Sequence, residues 1–339
     1  MIVNFYKYFF LIFFSFISFG QNNFIGSVER LSVEVDKFIE KDSKIEIIAK
    51  GFDWSEGPVW SNKLNALLFS DVPNNIIYKW NEKNGLSIFL NEIGHSGIVP
   101  NSKKTGTNGL TIDHKGNLII CMHGDRRVVK LNDWQSDKFI PIVTSYNNKL
   151  FNSPNDLVYN SKNELFFTDP PYGLKKGDQD ELKELKFNGV FRLSPNGKLK
   201  LIIKNLSRPN GVAISNDEKT LYVANSDSKN PVIMKYQITE EGVISPEIFF
   251  DGSVLSKKDK GAFDGLKVHQ SGTVFATGPG GVLLINSDGN HIGTIRTEVR
   301  TANCTFDSNY QYLYMTSSNF LTRIKLINKT TFFFNKFTT

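Results

Sequence analysis

Hydrophobic residues along this chain occur in short runs of alternating polarity, separated by turns rich in Asn, Asp and Gly. Such runs are typical of β-strands, and few stretches show the longer period of an amphipathic helix. One pattern recurs six times: a polar opening, a short apolar run, a polar turn and a second apolar run. The six openings are Glu56-Gly57-Pro58-Val59-Trp60, Asn108-Gly109-Leu110-Thr111-Ile112, Asn155-Asp156-Leu157-Val158-Tyr159, Asn210-Gly211-Val212-Ala213-Ile214, Asp264-Gly265-Leu266-Lys267-Val268 and Ala302-Asn303-Cys304-Thr305-Phe306.

The spacing of these openings, roughly 40–55 residues with several strands per unit, is typical of a β-propeller. A third strand follows in every unit and a fourth in the first five. The sixth unit lacks a fourth strand, whereas one extra strand, residues 44–50, precedes the first unit. An unpaired strand edge invites association with other chains. We therefore predict an all-β, six-bladed propeller over residues 44–328, closed by its N-terminal strand.

The N-terminus has the order of a secretory signal peptide: one positive charge, an apolar stretch from Tyr8 to Phe19, then polar residues. We expect residues 1–20 to be this signal, cleaved between Gly20 and Gln21. An uncleaved membrane anchor is the alternative, but the apolar stretch is short for a stable span. Residues 21–43 are then an N-terminal extension and 329–339 a tail. A periplasmic or secreted protein follows, without stable membrane insertion after cleavage.

Composition excludes some classes of function. The net charge of +6 comes from scattered lysines rather than a basic run, so we expect no nucleic-acid partner. The two cysteines, Cys121 and Cys304, fall in different blades and are expected to be free, buried thiols. A monomer or a dimer is compatible with the sequence. Two inserts, residues 94–107 and 170–188, are either surface excursions or a lid over the channel.

Equivalent positions of different blades converge on a propeller's axis, so the opening residues should form a ring of oxygen atoms. One Glu, one Asp and several Asn suit a hard divalent cation, calcium above all, because calcium tolerates irregular geometry. The ring contains no His or Cys, which disfavours softer metals. The alternative is that Asn, Asp and Gly only form turns before strands. Glu56, a poor turn former in register with the others, argues for the metal site.

The openings at Glu56, Asn155 and Asp264 and the segment Arg208-Pro209-Asn210-Gly211 resemble motifs of the senescence marker protein/gluconolactonase family, also called regucalcin-like. The segments that resemble its exported bacterial branch in particular are Cys121-Met122-His123-Gly124-Asp125-Arg126-Arg127, Thr168-Asp169-Pro170-Pro171-Tyr172-Gly173-Leu174, Thr277-Gly278-Pro279-Gly280-Gly281-Val282 and Ala302-Asn303-Cys304. The resemblance covers about residues 51–326. It implies a six-bladed propeller that hydrolyses sugar lactones with one divalent cation, calcium or alternatively Zn²⁺, Mg²⁺ or Mn²⁺. It places the metal ligands at Glu56, Asn155, Asn210 and Asp264.

One departure from the family concerns the sugar contact. Regucalcin-type enzymes carry an arginine two residues before the third-blade ligand, where this chain has Ser153. Substrate recognition must differ, and His123, Arg126 and Tyr172 are candidates, with Asn108 as a further contact to water or substrate. His123 has the alternative of a satisfied strand residue, and Arg126 that of a surface pair with Asp125.

A lactone is an activated ester, so a cation and a carboxylate base suffice to hydrolyse it. We expect Asp264 to be the base and Glu56 the anionic anchor. No Gly-x-Ser-x-Gly element is present, which argues against an α/β-hydrolase mechanism. Hydrolysis of organophosphates or aryl esters is an alternative, since related calcium-bearing propellers catalyse it. A non-catalytic exported binding propeller is another.

Overall fold

The computed structural model describes residues 23–327, apart from 102 and 104, and these residues form six antiparallel sheets of four or five strands and one two-stranded hairpin. The first three blades, from the axis outwards, consist of Ser55–Ser61, Ala66–Asp71, Ile76–Asn81 and Gly85–Leu90; Thr107–Ile112, Leu118–Met122, Arg127–Leu131 and Phe139–Val143; and Leu157–Tyr159, Leu165–Asp169, Gly189–Leu193 and Leu199–Ile203. The last three consist of Pro209–Ile214, Thr220–Asp227, Asn230–Ile238 and Val243–Asp251; Leu266–Val268, Val274–Gly278, Gly281–Ile285 and His291–Arg296; and Asn303–Phe306, Tyr312–Ser317 and Phe320–Lys325. The predicted six-bladed propeller is confirmed.

The N-terminal strand Ile45–Lys50 closes the ring as predicted. It pairs antiparallel with Phe320–Lys325, so the sixth blade takes its fourth strand from the beginning of the chain. Two further strands precede it: Phe24–Ile25 pairs with Ile45–Lys50, and Ser27–Arg30 pairs with the outer strand of blade 5. The described part of the predicted extension therefore covers the edges of two blades. The predicted signal peptide 1–20 and tail 329–339 lie outside the described residues.

The hydrophobic core is divided into six clusters, each between two neighbouring blades. Aromatic side chains fill much of this space. Between blades 2 and 3, for example, the rings of Phe151, Phe167 and Phe191 lie 5.2–5.4 Å apart. Ring pairs at such separations are favourable beyond the area they bury. Because the clusters form a closed cycle, each blade is held on two sides.

The remaining elements are short. A small hairpin, Ser145–Tyr146 with Lys149–Leu150, follows blade 2. In the described part of the chain, the helices are the 3-10 turns Val33–Lys37 and Gly177–Gln179 and the α-helical turn Leu255–Lys258. Cys121 and Cys304 are buried and free, as predicted. Within the described residues, no helix is long and apolar enough to cross a membrane.

Candidate active site

Five of the six predicted ring positions line one cavity of about 730 Å³ at the end of the axis where the innermost strands begin. These residues are Glu56, Asn108, Asn155, Asn210 and Asp264. In the sixth blade the cavity is lined by Thr301 instead. The Asn303 side chain accepts a hydrogen bond from Cys304 N at 2.9 Å and bonds to Glu56. The repeat in the sequence thus predicted the convergence in five blades.

The glycine after a ring residue allows neighbouring innermost strands to approach closely. A Cβ on Gly57 would lie 2.1 Å from Asn108 O, and one on Gly211 would lie 2.1 Å from Asp264 O. Gly211 N also donates to Asp264 O at 3.1 Å, so the backbones of blades 4 and 5 bond directly to each other. Gly57 and Gly211 lie within strands, whereas Asp264 lies just before one. The glycines at these openings serve close packing of the innermost strands, which the formation of turns alone does not require.

In three blades, a side chain of the second strand accepts a hydrogen bond from the backbone N–H two residues before the ring position. Asp71, at the end of a second strand, accepts from Trp54 N at 3.1 Å. In blade 3, Asp169 accepts from Ser153 N at 2.8 Å, and in blade 4 Asn225 accepts from Arg208 N at 2.8 Å. The backbone that leads into Glu56, Asn155 and Asn210 is thereby fixed by a side chain of the adjacent strand. Rigid support of this kind keeps functional side chains in place.

The four predicted metal ligands lie together, with oxygen atoms left unsatisfied. Asn155 Nδ2 donates to Asn210 Oδ1 at 2.8 Å, and Asn210 Nδ2 donates to Ser226 Oγ at 2.9 Å. Asn155 Oδ1 and Asp264 Oδ1 are buried and lack a hydrogen-bond partner within the described residues. Such groups are costly unless something else binds them. Asn210 Oδ1 keeps a second lone pair for a further partner.

The two carboxyl groups of the site are electrostatically unfavourable as a pair of anions. Burial, with the negative charge of Asp156 adding to it, raises the pKa of Glu56 to about 7 despite a hydrogen bond from Gly57 N at 2.8 Å. Burial and the neighbouring Glu56 also raise the pKa of Asp264 well above its usual value. Desolvation and a like charge both disfavour ionisation. A bound cation would remove this cost.

The donor set fits a hard divalent cation. Two carboxylates and two amide oxygens are ligands that calcium accepts, with water completing the shell. Over residues 23–327, with 102 and 104 left out, no group of three or more His, Cys, Asp and Glu side chains could hold a metal. An ion at this site would accordingly depend on the amide oxygens of Asn155 and Asn210 as well as on Glu56 and Asp264.

Three of the four predicted substrate contacts reach the cavity: Asn108, His123 and Tyr172. Burial, together with the positive charge of Lys103, lowers the pKa of His123 to about 3, so its ring is neutral. His123 Nε2 has no partner in the described part of the chain. Burial raises the pKa of Tyr172 to about 12, while hydrogen bonds with Ser226 and Asn210 partly offset this effect. Both side chains are therefore uncharged hydrogen-bonding groups.

Arg126 does not line the cavity. Its side chain is fully buried, and Nε donates to Phe151 O at 2.6 Å. Nor does it pair with Asp125, which bonds to Arg127 at 2.6 Å instead. Arg126 supports the chain between blades 2 and 3 from behind the site.

Sequence reasoning missed two cationic residues at the cavity, Lys103 and Arg300. Lys103 belongs to the 94–107 insert and its Nζ donates to Tyr172 O at 2.9 Å, which joins the two inserts. Arg300 lies in the loop before blade 6 and is exposed. Neither residue belongs to the repeat, so periodicity gave no signal for them.

The fold and the site define a class of protein: a six-bladed propeller with carboxylate and amide oxygens gathered at one end of its axis. The chain belongs to the family described as SMP-30/Gluconolactonase/LRE-like region, whose model matches residues 54–319. It is 37% identical over 308 residues to a gluconolactonase of Zymomonas mobilis, an alignment that covers 89% of this chain and 86% of the relative.

Solved structures agree with this assignment. A gluconolactonase from Xanthomonas campestris superposes with a TM-score of 0.79 at 27% identity and covers 90% of this chain and 97% of its own. Regucalcin from Agrobacterium tumefaciens, a calcium-binding protein, shares the fold with a TM-score of 0.65 at 14% identity, covering 83% of this chain and 94% of its own. The family resemblance expected from the motifs is confirmed.

Proposed function

We propose that this protein is a metal-dependent lactonase that opens sugar lactones. The observation that supports this proposal best is that Glu56 and Asp264, both with raised pKa values, line one cavity together with Asn155, whose Oδ1 is unsatisfied. Glu56, Asn155, Asn210 and Asp264 would hold one divalent cation, calcium by preference. The names of the relatives, gluconolactonase and lactonase, support lactones as the substrate class.

The reaction adds water to the lactone carbonyl carbon and breaks the bond to the ring oxygen. The bound cation would polarise the carbonyl and acidify water. Asp264, whose carboxyl group lines the cavity, would accept the proton of the attacking water. The proton is then returned to the departing ring oxygen, which becomes a hydroxyl group of the open-chain acid.

The uncharged polar groups of the cavity orient the substrate. Asn108, the neutral His123 and the Tyr172 hydroxyl surround the space beside the ligand residues. A sugar lactone carries several hydroxyl groups, which these side chains can bind as donors or acceptors. Such contacts place the carbonyl near Asp264 and contribute to orientation.

A panel of substrates tests the proposed reaction. Purified protein with saturating calcium should hydrolyse aldonolactones much faster than aryl esters or phosphotriesters, as measured by initial rates of acid release. A preference for aryl esters or phosphotriesters would replace the lactonase proposal with the corresponding hydrolase. Absence of turnover on the whole panel would favour a binding propeller.

We also propose that the chain is exported to the periplasm or secreted, on the basis of the order of residues 1–20. The mature protein, isolated after expression in a bacterial host with an export pathway, should begin at Gln21 when its N-terminus is sequenced. A mature protein that still begins at Met1 would contradict cleavage.

A further inference from the structure

The turn that begins the 170–188 insert is hydrogen-bonded to Ser153, which lies two positions before Asn155. Ser153 is fully buried, and its hydroxyl donates to Pro170 O at 2.6 Å and accepts from Gly173 N at 2.8 Å. Ser153 N in turn donates to Asp169 at 2.8 Å. The Ser153 side chain therefore bonds on both sides of Tyr172, which lies within this turn.

Packing reinforces these hydrogen bonds. A Cβ on Gly173 would lie 2.6 Å from the Cβ of Ser153 and 3.1 Å from that of His123, so the turn lies directly against blades 2 and 3. A residue larger than glycine would have to move the turn away. From this position Tyr172 extends into the cavity, which Asn210 and Ser226 of blade 4 also line. The Tyr172 side chain therefore belongs to the same cavity as the ligand residues.

The rest of the insert is fixed as well. Asn152 Nδ2 donates to Phe187 O at 2.9 Å, and Lys183 Nζ donates to the same oxygen at 3.1 Å. Leu174 and Leu185 are buried. These contacts hold the insert against blade 3, and Tyr172 is the residue of the insert that lines the cavity.

We propose that Ser153 determines substrate specificity as a positioning residue, by fixing Tyr172 where it binds the hydroxylated part of a sugar lactone. This inference rests on the proposed lactonase function. The Tyr172 hydroxyl is a neutral donor and acceptor for the hydroxyl groups of a sugar. It has no such partner in a lactone without hydroxyl groups. The contribution of Ser153 should therefore depend on both Tyr172 and the substrate hydroxyls.

A double-mutant cycle tests this dependence. Wild type, Ser153→Ala, Tyr172→Ala and the double variant are compared on glucono-δ-lactone and on unsubstituted δ-valerolactone, both at saturating calcium. Each single substitution should lower kcat/KM for gluconolactone about 10-fold, mainly through KM, because polar contacts to substrate are lost. The change with valerolactone should stay within about 2-fold. The double variant should be no worse than the more impaired single variant, since Ser153 acts through Tyr172.

Two controls separate positioning from general damage. Ser215, in the first turn of blade 4 at the opposite end of the axis, also donates to one oxygen, Asp217 Oδ1 at 2.6 Å, and accepts from one backbone N–H, Thr220 N at 2.9 Å. Ser215→Ala should leave both KM values unchanged. Gly173→Ala moves the turn without removing any hydrogen-bonding side chain and should reproduce the Ser153→Ala effect. This variant also provides the test if Ser153→Ala does not fold. The calcium affinity of Ser153→Ala, measured by calorimetry, should equal that of wild type.

The inference is overturned by a normal KM for gluconolactone in Ser153→Ala, by effects that multiply in the double variant, or by equal losses on both lactones. If Gly173→Ala has to stand in for an unfolded Ser153→Ala, a normal KM in that variant overturns it too. A reduced calcium affinity would show that Ser153 acts through Asn155 and would also contradict it. Failure of the wild-type protein to hydrolyse any lactone is a different result, because it removes the proposed function and this inference with it.

Discussion

At the scale of single residues, the ring could be predicted because residues with side-chain oxygen atoms recur at the same position of the sequence repeat. Glu56, Asn155, Asn210 and Asp264 open equivalent strands, and strand alternation decides where such residues point. Arg126 could not be placed in this way. It lies in a turn with a positive φ of 52°, where no periodicity fixes the side-chain direction. Its burial depends on Phe151, which comes from a distant part of the sequence.

The first prediction concerns the base. Asp264→Asn keeps the shape and one oxygen of the side chain but removes its charge and basicity. Lactone hydrolysis at saturating calcium should fall by about 100-fold or more, because general base catalysis contributes this much. Asn210→Asp preserves a ligand oxygen and should retain substantial activity in the same assay. A near-wild-type rate for calcium-saturated Asp264→Asn would show that Asp264 is a ligand only.

The second prediction concerns the pH dependence of stability in calcium-free protein. Because the pKa of Glu56 is raised from 4.5 to about 7, the folded state holds a proton that the unfolded state has already released within this range. The contribution of Glu56 to stability therefore decreases as pH rises from about 4.5 to about 7. Glu56→Gln removes this dependence, so in chelator the variant should gain stability relative to wild type as pH rises.

Chemical denaturation at several pH values measures this difference. The buried His123 and His269 have lowered pKa values and titrate in the opposite sense, but both proteins contain them and their contribution cancels. With calcium present at neutral pH, wild type should instead be more stable than Glu56→Gln, because wild type binds calcium more tightly. A stability difference that does not change between pH 4.5 and 7 would contradict the role of Glu56 burial.

At the scale of elements, the strands of each blade and the closing strand followed from alternation and from the missing fourth strand of blade 6. The strands formed by residues 24–30 did not. Ser27–Arg30 binds the edge of blade 5, more than 260 residues away in sequence, where Arg296 pairs with Glu29 at 2.8 Å. Such pairing is decided by the tertiary structure rather than by local propensity. The function of the inserts was left open for the same reason, because their anchors come from other segments.

The third prediction tests this N-terminal segment. Val35 and Val33 lie in the same 3-10 helical turn, but Val35 is fully buried against blade 5 and Val33 is 83% exposed. Val35→Ala should lower the free energy of unfolding by roughly 1.5–3 kcal/mol through lost burial and a residual cavity. Val33→Ala should change it by less than about 0.5 kcal/mol. Equal effects in urea denaturation would contradict a structural role for this packing.

At the scale of the whole molecule, the closed ring of blades determines where the chemistry lies. An apolar cluster joins each pair of neighbouring blades, and innermost strands hydrogen-bond to one another beside the cavity. A site assembled from four blades depends on the whole ring, so its geometry is set by the fold rather than by one loop. The side chains of Asp71, Asp169 and Asn225 fix the backbone that leads into three of the ligand residues, because each accepts a hydrogen bond from it.

The most direct test of the account is the initial rate of gluconolactone hydrolysis as calcium is removed and then returned. Protein treated with chelator and shown by elemental analysis to be metal-free should lose nearly all of its activity, because Glu56 and Asp264 alone cannot polarise the carbonyl. Added calcium should restore the rate along a saturation curve for one site. A metal-free protein that hydrolyses the lactone at its full rate would contradict the metal-dependent mechanism.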